Sequence, residues 1–241
     1  MVMFLIGLTI GVTLAWASSK NKEKETLNQT SVITQPQIQF HPKMDQALKP
    51  IKEKHKNMPI YAPTEPTFKI MDLSVSTSFD ASSDGYSYSL LTKDQNPLLV
   101  FNGNHKESEY EARQWLYENF IYLNPNKEMV ELGNGLTGGF EGNRQKGTLE
   151  WHVGFWTFQV TGPKERAIEE GKKLVTYLLS HELLPTGGVI GIDLEGSGKA
   201  FAKWTHNNLI YGVNQAQYSG NSPLLEAACS MRLYPDLRIN P

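Results

Sequence analysis

Cysteine is all but missing: Cys229 is the single one in 241 residues. No intramolecular disulfide can form, so an exported chain of this kind belongs where domains survive without one, such as a bacterial cell envelope. Charge of one sign is lacking too. The formal net charge is -2, which excludes the global field that recruits nucleic acid or an anionic membrane. Long hydrophobic runs are also scarce. The uncharged apolar run Val2–Ala17 has sixteen residues, short of the roughly 20 that comfortably span a bilayer. No Lys or Arg precedes it, so the basic start of a secretory signal is absent, although Ala15-Trp16-Ala17 fits a cleavage pattern. Lys20, Lys22 and Lys24 follow, and the positive-inside tendency favours keeping that flank in the cytoplasm. Three readings stay open: a cleaved signal, an anchor with the domain outside, and an anchor with the domain inside. Export is the favoured expectation, with contact to the membrane through residues 1–17.

What is present divides the chain into three parts. Ser18–Pro66 is rich in Lys, Gln, Asn, Thr and Pro and poor in large apolar residues, which reads as a disordered polar tether. Within it, Asp45–Lys56 has the spacing of a short amphipathic helix with Met44, Leu48 and Ile51. The folded domain is expected over residues 67–241. Phe68–Val75, Tyr86–Leu90 and Pro97–Phe101 read as strands, and Lys106–Phe120 as a helix with Tyr110, Arg113, Leu116, Tyr117 and Phe120 toward one face.

One pattern occurs twice. Leu149-Glu150-Trp151-His152-Val153-Gly154-Phe155-Trp156-Thr157-Phe158-Gln159-Val160 is echoed by the stretch from Ala202 to Val213. Each alternates with period two about a turn, at Gly154 or Asn207-Asn208, that supplies left-handed positions. Each leads into a helical pattern, Arg166–Ser180 and Pro223–Leu233. The fold class expected is α+β: an antiparallel sheet built from repeated hairpin-plus-helix units, with the helices packed on one face.

Several strings imitate chemical motifs and fail on context. Gly133-Asn134-Gly135-Leu136-Thr137-Gly138 matches a dinucleotide fingerprint, but further glycines follow where a helix should begin. Gly196-Ser197-Gly198-Lys199 has Asp193 where a phosphate loop needs Gly, and Ala200 where it needs a hydroxyl. His181-Glu182 lacks the second His of a zinc-protease helix and meets Pro185 instead. His152 and His206 stand at near-equivalent repeat positions without an acidic or Cys partner at ligand spacing. No cofactor and no metal are expected. Cys229 lies in an apolar helical pattern and reads as a small buried hydrophobe.

The surplus lies in the aromatics. Tyr86, Tyr88, Trp151, Trp156, Trp204 and Tyr211 fall on proposed strands. Packing under the helices is the ordinary reading. The functional reading makes part of this face an apolar groove for a ligand, with the Tyr86/Tyr88 strand as its exposed part.

The string Trp204–Val213 followed by Leu225–Met231, and Trp156-Thr157-Phe158 with Leu184-Pro185 and Gly188-Val189-Ile190 downstream, resemble a family of C-terminal domains. These belong to uncharacterised secreted or membrane-anchored proteins of Gram-positive-type bacteria. They are loosely like the half-barrels of lipoprotein-carrier and anti-sigma-sensor domains. The resemblance covers Met129 to Tyr234, implies an antiparallel sheet wrapped on helices, and carries over no catalytic residue. The function expected is a non-catalytic extracytoplasmic domain that binds an apolar ligand or a partner protein at the envelope. A hydrolase with a site assembled from distant residues, or a structural subunit of a surface complex, are the alternatives.

Overall fold

Among the described residues, alternation of apolar and polar residues makes twelve strands and three-to-four spacing makes four helices. A computed structural model describes residues 40–64, 74–78, 85–120, 127–184, 186–196, 198–218, 220 and 223–234. In chain order they form α1 (Pro42–Lys54), β1 (Ile60–Pro63), β2 (Ser74–Ser78), β3 (Gly85–Leu91), β4 (Pro97–His105) and α2 (Glu109–Phe120). Then come β5 (Glu128–Gly133), β6 (Leu136–Gly142), β7 (Gly147–Val153), β8 (Trp156–Gly162) and α3 (Lys164–Leu178). The last are β9 (Gly188–Asp193), β10 (Ala200–His206), β11 (Leu209–Gln215), α4 (Pro223–Ser230) and β12 (Met231–Tyr234). All of them fall within one unit, Gln37–Pro241.

Ten strands form one sheet in the order β2-β3-β4-β11-β10-β9-β8-β7-β6-β5, and β1 pairs with β12 in a separate ribbon. The class is α+β, as expected, but the sheet is not wholly antiparallel. β8 and β9 run parallel, with Phe158 opposite Ile190. A parallel pair needs a crossover of a dozen or more residues, and α3 with its following loop supplies it.

Register sorts the side chains. On one face, here the inner one, lie Trp151 opposite Phe158, Trp204 opposite Tyr211, and Tyr88 opposite Phe101. The other, outer face carries Glu150 opposite Gln159, Lys203 opposite Gly212, and Ser87 opposite Asn102. The two repeat hairpins share a detail: Trp151 stacks on Phe158 at 5.2 Å, and Trp204 stacks on Tyr211 at 5.6 Å. α3 packs on β5, β7 and β8, and α4 on β10 and β11. Gly171 explains how closely α3 approaches. A Cβ there would stand 2.7 Å from Leu149 Cδ2, so only glycine lets this helix settle onto the aromatic face.

Two expectations are corrected. The helices do not all cover one face. α2 lies on the outer face, where Phe120 meets the Phe201 ring at 5.0 Å and the Phe120 carbonyl accepts from Gln159 Nε2 at 2.6 Å. Its buried stripe is narrow, Ala112 and Leu116, so Tyr110 and Tyr117 project into solvent rather than into the core.

Part of the segment read as a tether is folded as well. Pro42–Pro63 belongs to the fold as α1 and β1, with Leu48, Ile51, Ile60 and Ala62 fully buried. The segment has few apolar residues, but they recur at helical spacing and then in one short run, so nearly all of them reach the core. The glycine-rich stretch forms the β5–β6 hairpin, whose turn residues Asn134 and Gly135 both have positive φ. The expected strand at Phe68–Val75 lies outside the described residues except for Ser74 and Val75, the first two residues of β2.

Candidate functional site

The six aromatic candidates come first. Tyr86, Tyr88, Trp151, Trp156, Trp204 and Tyr211 are all on the inner face and none is more than 4% exposed. They pack together as core, not as the wall of an open groove. The expectation of an exposed Tyr86/Tyr88 strand is therefore corrected: both rings are buried and stack against each other, and Tyr88 stacks on Phe101 at 4.6 Å.

What covers them is the segment read as a tether. Tyr88 Oη donates to the Tyr61 carbonyl at 2.9 Å, Tyr211 Oη donates to the Pro59 carbonyl at 2.8 Å, and Tyr61 N donates to Tyr86 Oη at 3.3 Å. Tyr61 itself stands edge-on to Trp204 and Tyr211. Phenolic groups need partners when buried, and the backbone of residues 59–61 provides them. Burial holds the Tyr86, Tyr88 and Tyr211 phenols well above the ordinary tyrosine value. Trp156 Nε1 donates to the Leu184 carbonyl at 3.0 Å. Trp151 Nε1 and Trp204 Nε1 are buried without an acceptor among the described residues.

The histidines of the repeat do not form a pair. His206 follows Trp204 by two residues and His152 follows Trp151 by one, so alternation sends them to opposite faces. His152 Nδ1 lies 3.1 Å from Thr157 Oγ1, and His206 Nδ1 lies 3.3 Å from Tyr61 Oη. Among the described residues no group of three or more His, Cys, Asp or Glu converges on a point. A buried ion pair, Lys127 Nζ to Glu150 Oε1 at 2.7 Å, sits on the outer face, and Gln159 Nε2 donates to the second oxygen of Glu150 at 2.9 Å. Its members are engaged with one another and with the end of α2, which is a structural arrangement.

The open surface that remains unusual is the hairpin-tip end of the sheet. Phe155 sits in the β7–β8 turn beside Gly154, whose φ of 58° sets the turn, and is 82% exposed. Its backbone is fixed: the Phe155 carbonyl accepts from Gly188 N at 3.2 Å. The ring is thus held out from a rigid support. On one side a cleft of about 630 Å³ runs between this turn, α2 and the β10–β11 turn, lined by Arg113, Leu116, Tyr117, Gly188 and His206 among others. On the other side a smaller hollow of about 320 Å³ is lined by Leu178, His181 and Leu183. Phe155 lines both. Tyr117 is 47% exposed across the larger cleft. The charges of the larger cleft are partly spent, since Arg113 and Glu109 pair at 2.5 Å along α2.

This site was legible in part. An aromatic in a two-residue turn, where Gly, Asn, Asp or Ser is the rule, is a signal in the sequence itself. Tyr117 carried no comparable signal, because the face of α2 that is buried depends on which side of the sheet the helix takes. The run Val2–Ala17 lies outside the described residues, and among those described no helix is long and apolar enough to cross a membrane. No protein-family model matches this chain, and no curated protein and no solved structure matches it either.

Proposed function

We propose that this domain is a non-catalytic binding module, held at the cell envelope by its N-terminal segment, which seats a partner protein at the hairpin-tip cleft. The observation that carries the reading is Phe155: a large apolar ring, 82% exposed, on a turn whose backbone is pinned to β9. Ordering a flexible side chain costs about 0.5–1.5 kcal/mol on binding, and a ring on a fixed turn avoids part of that cost. Tyr117 and Arg113 stand across the cleft, and Phe155 with them gives the aromatic-plus-Arg composition in which binding energy concentrates at protein interfaces. The partner that fits presents an apolar side chain to enter between Phe155 and Tyr117. The face formed by Trp151, Trp204 and Tyr211 has no part in this reading, because the chain's own residues 59–61 lie against Trp204 and Tyr211 and α3 lies against Trp151.

A photo-crosslinking residue placed at position 155 tests it in cells of the native host, with position 129 as the control. Met129 is 67% exposed on the edge strand β5, away from the cleft. One discrete adduct from position 155, absent from position 129 and lost with Tyr117→Asp, is expected. No adduct, or the same adducts from both positions, overturns the reading. Neither surface change should alter stability by more than about 0.5 kcal/mol. We also infer that β7–β8–α3 and β10–β11–α4 are copies of one unit, a reading supported by the matching Trp151/Phe158 and Trp204/Tyr211 stacks.

A further inference from the structure

Lys203 lies in the middle of β10, on the outer face, beneath α2. Its ammonium is 5.4 Å from the centroid of the Phe120 ring and 5.8 Å from that of Trp115. Lys106, just before α2, reaches the same Trp115 ring at 5.5 Å. Two cations therefore lie against one indole. Other partly buried lysines of this chain meet a carboxylate: Lys127 pairs with Glu150 at 2.7 Å and Lys164 with Glu128 at 2.6 Å. Among the described residues no carboxylate pairs with Lys106 or Lys203. Burial lowers the Lys203 amino group below its ordinary value. A partly desolvated charge held by aromatic rings alone is an expensive arrangement for a strand to keep, since ring faces recover only about 0.5–2 kcal/mol.

The neighbours of Lys203 across the sheet are polar. Register sets Ser87, Asn102, Gly212 and Lys203 side by side on four adjacent strands, all toward the outer face. Gly212 makes room between the last two polar groups. A Cβ there would stand 2.4 Å from Asn102 Oδ1 and 3.2 Å from Lys203 Nζ. Asn102 Oδ1 and Lys203 Nζ thus come together in the space that Gly212 leaves, with Trp115 beside them.

We propose that this row is a binding site for an oxyanion, phosphate or carboxylate, carried on a small polar ligand. Lys203 meets its charge and Asn102, whose side chain converges with it above Gly212, meets a remaining oxygen, while Lys106 adds charge from beside Trp115. Lysine suits this task as a compact point charge, and the rings beside it exclude water and so strengthen the attraction. The site uses Trp115 and Phe120 of α2, whereas the partner cleft uses Arg113 and Tyr117, so the two are carried by different residues of one helix.

The test is made on the full chain labelled with 13C-lysine, whose side-chain resonances read each amino group, with inorganic phosphate and then acetate added at constant ionic strength. A saturable shift of Lys203 and Lys106 is expected, while the exposed Lys172 of α3 stays put. Affinity by calorimetry should fall at least tenfold in Lys203→Gln and severalfold in Lys106→Gln. A response to phosphate alone assigns a phosphorylated ligand, to acetate alone a carboxylate, and to both an oxyanion site of either kind. If Lys203→Gln fails to fold, the resonances of the unaltered chain and the Lys106→Gln affinity decide. Overturning the proposal takes a Lys203 signal that moves no more than that of Lys172 with both anions.

Discussion

At the residue scale the aromatic core answers most questions of stability. Trp204 is buried, stacks on Tyr211, and meets Tyr61 edge-on at 5.8 Å. Trp204→Ala should therefore destabilise the domain by about 3–5 kcal/mol in a urea titration, with Tyr61 losing its neighbour as well. An unchanged midpoint would contradict the core assignment. Cys229 is buried in α4, and burial lifts its thiol to about 11. The thiolate is the reactive form, so the native protein should fail to react with a disulfide reagent at pH 8, and react fully once denatured. The alternation rule identified these residues as facing one way, which is how Trp151, Trp156 and Trp204 came to be grouped. It could not tell a covered face from an open groove, because what covers Trp204 and Tyr211 lies far upstream in β1, while α3 and Leu184 close over Trp151 and Trp156.

At the scale of elements, the helices show where sequence reading succeeds and where it stops. α3 is legible because Ala167, Gly171, Leu174 and Val175 mark a broad apolar stripe. α2 is legible as a helix but not as to its side of the sheet, since Ala112 and Leu116 alone give too narrow a stripe to choose a face. What commits it is the pair of contacts at its end, Phe120 with Phe201 and with Gln159. Those contacts depend on Glu150 keeping Gln159 and Lys127 in place. Lys127→Met strands the Glu150 carboxylate in a site with little access to water, and removing one member of a buried pair costs about 3–5 kcal/mol. Glu150→Gln in the same chain should recover part of the loss, a double-mutant comparison that separates charge from packing.

At the scale of the whole molecule, the buried phenols bound the range of pH over which the fold persists. Burial raises Tyr86, Tyr88 and Tyr211 above the value they have in the unfolded chain, about 10. Above that pH the folded state holds protons that the unfolded state has released. Stability is thus intact below about pH 10 and declines as pH climbs from there toward the folded values, by up to about 1.4 kcal/mol per pH unit for each phenol. Unfolding followed by circular dichroism should coincide with the rise of tyrosinate absorbance, and tyrosinate appearing while the fold is intact would show the rings to be accessible. The class of fold was readable from alternating strands and striped helices. The parallel β8–β9 pair was not, because sequence spacing specifies a connection long enough for a crossover without specifying which neighbour the next strand takes.

The ribbon of β1 and β12 joins Ile60 to Tyr234 and Pro63 to Met231. During synthesis, the strand that shields the tyrosine hydroxyls is made long before β12, its partner in the ribbon. Until residues 231–234 have cleared the ribosome, the aromatic face has a cover with nothing to pair to. Removing β12 should therefore expose the same rings as removing α1 and β1, and either deletion turns a well-hidden surface into one that recruits chaperones.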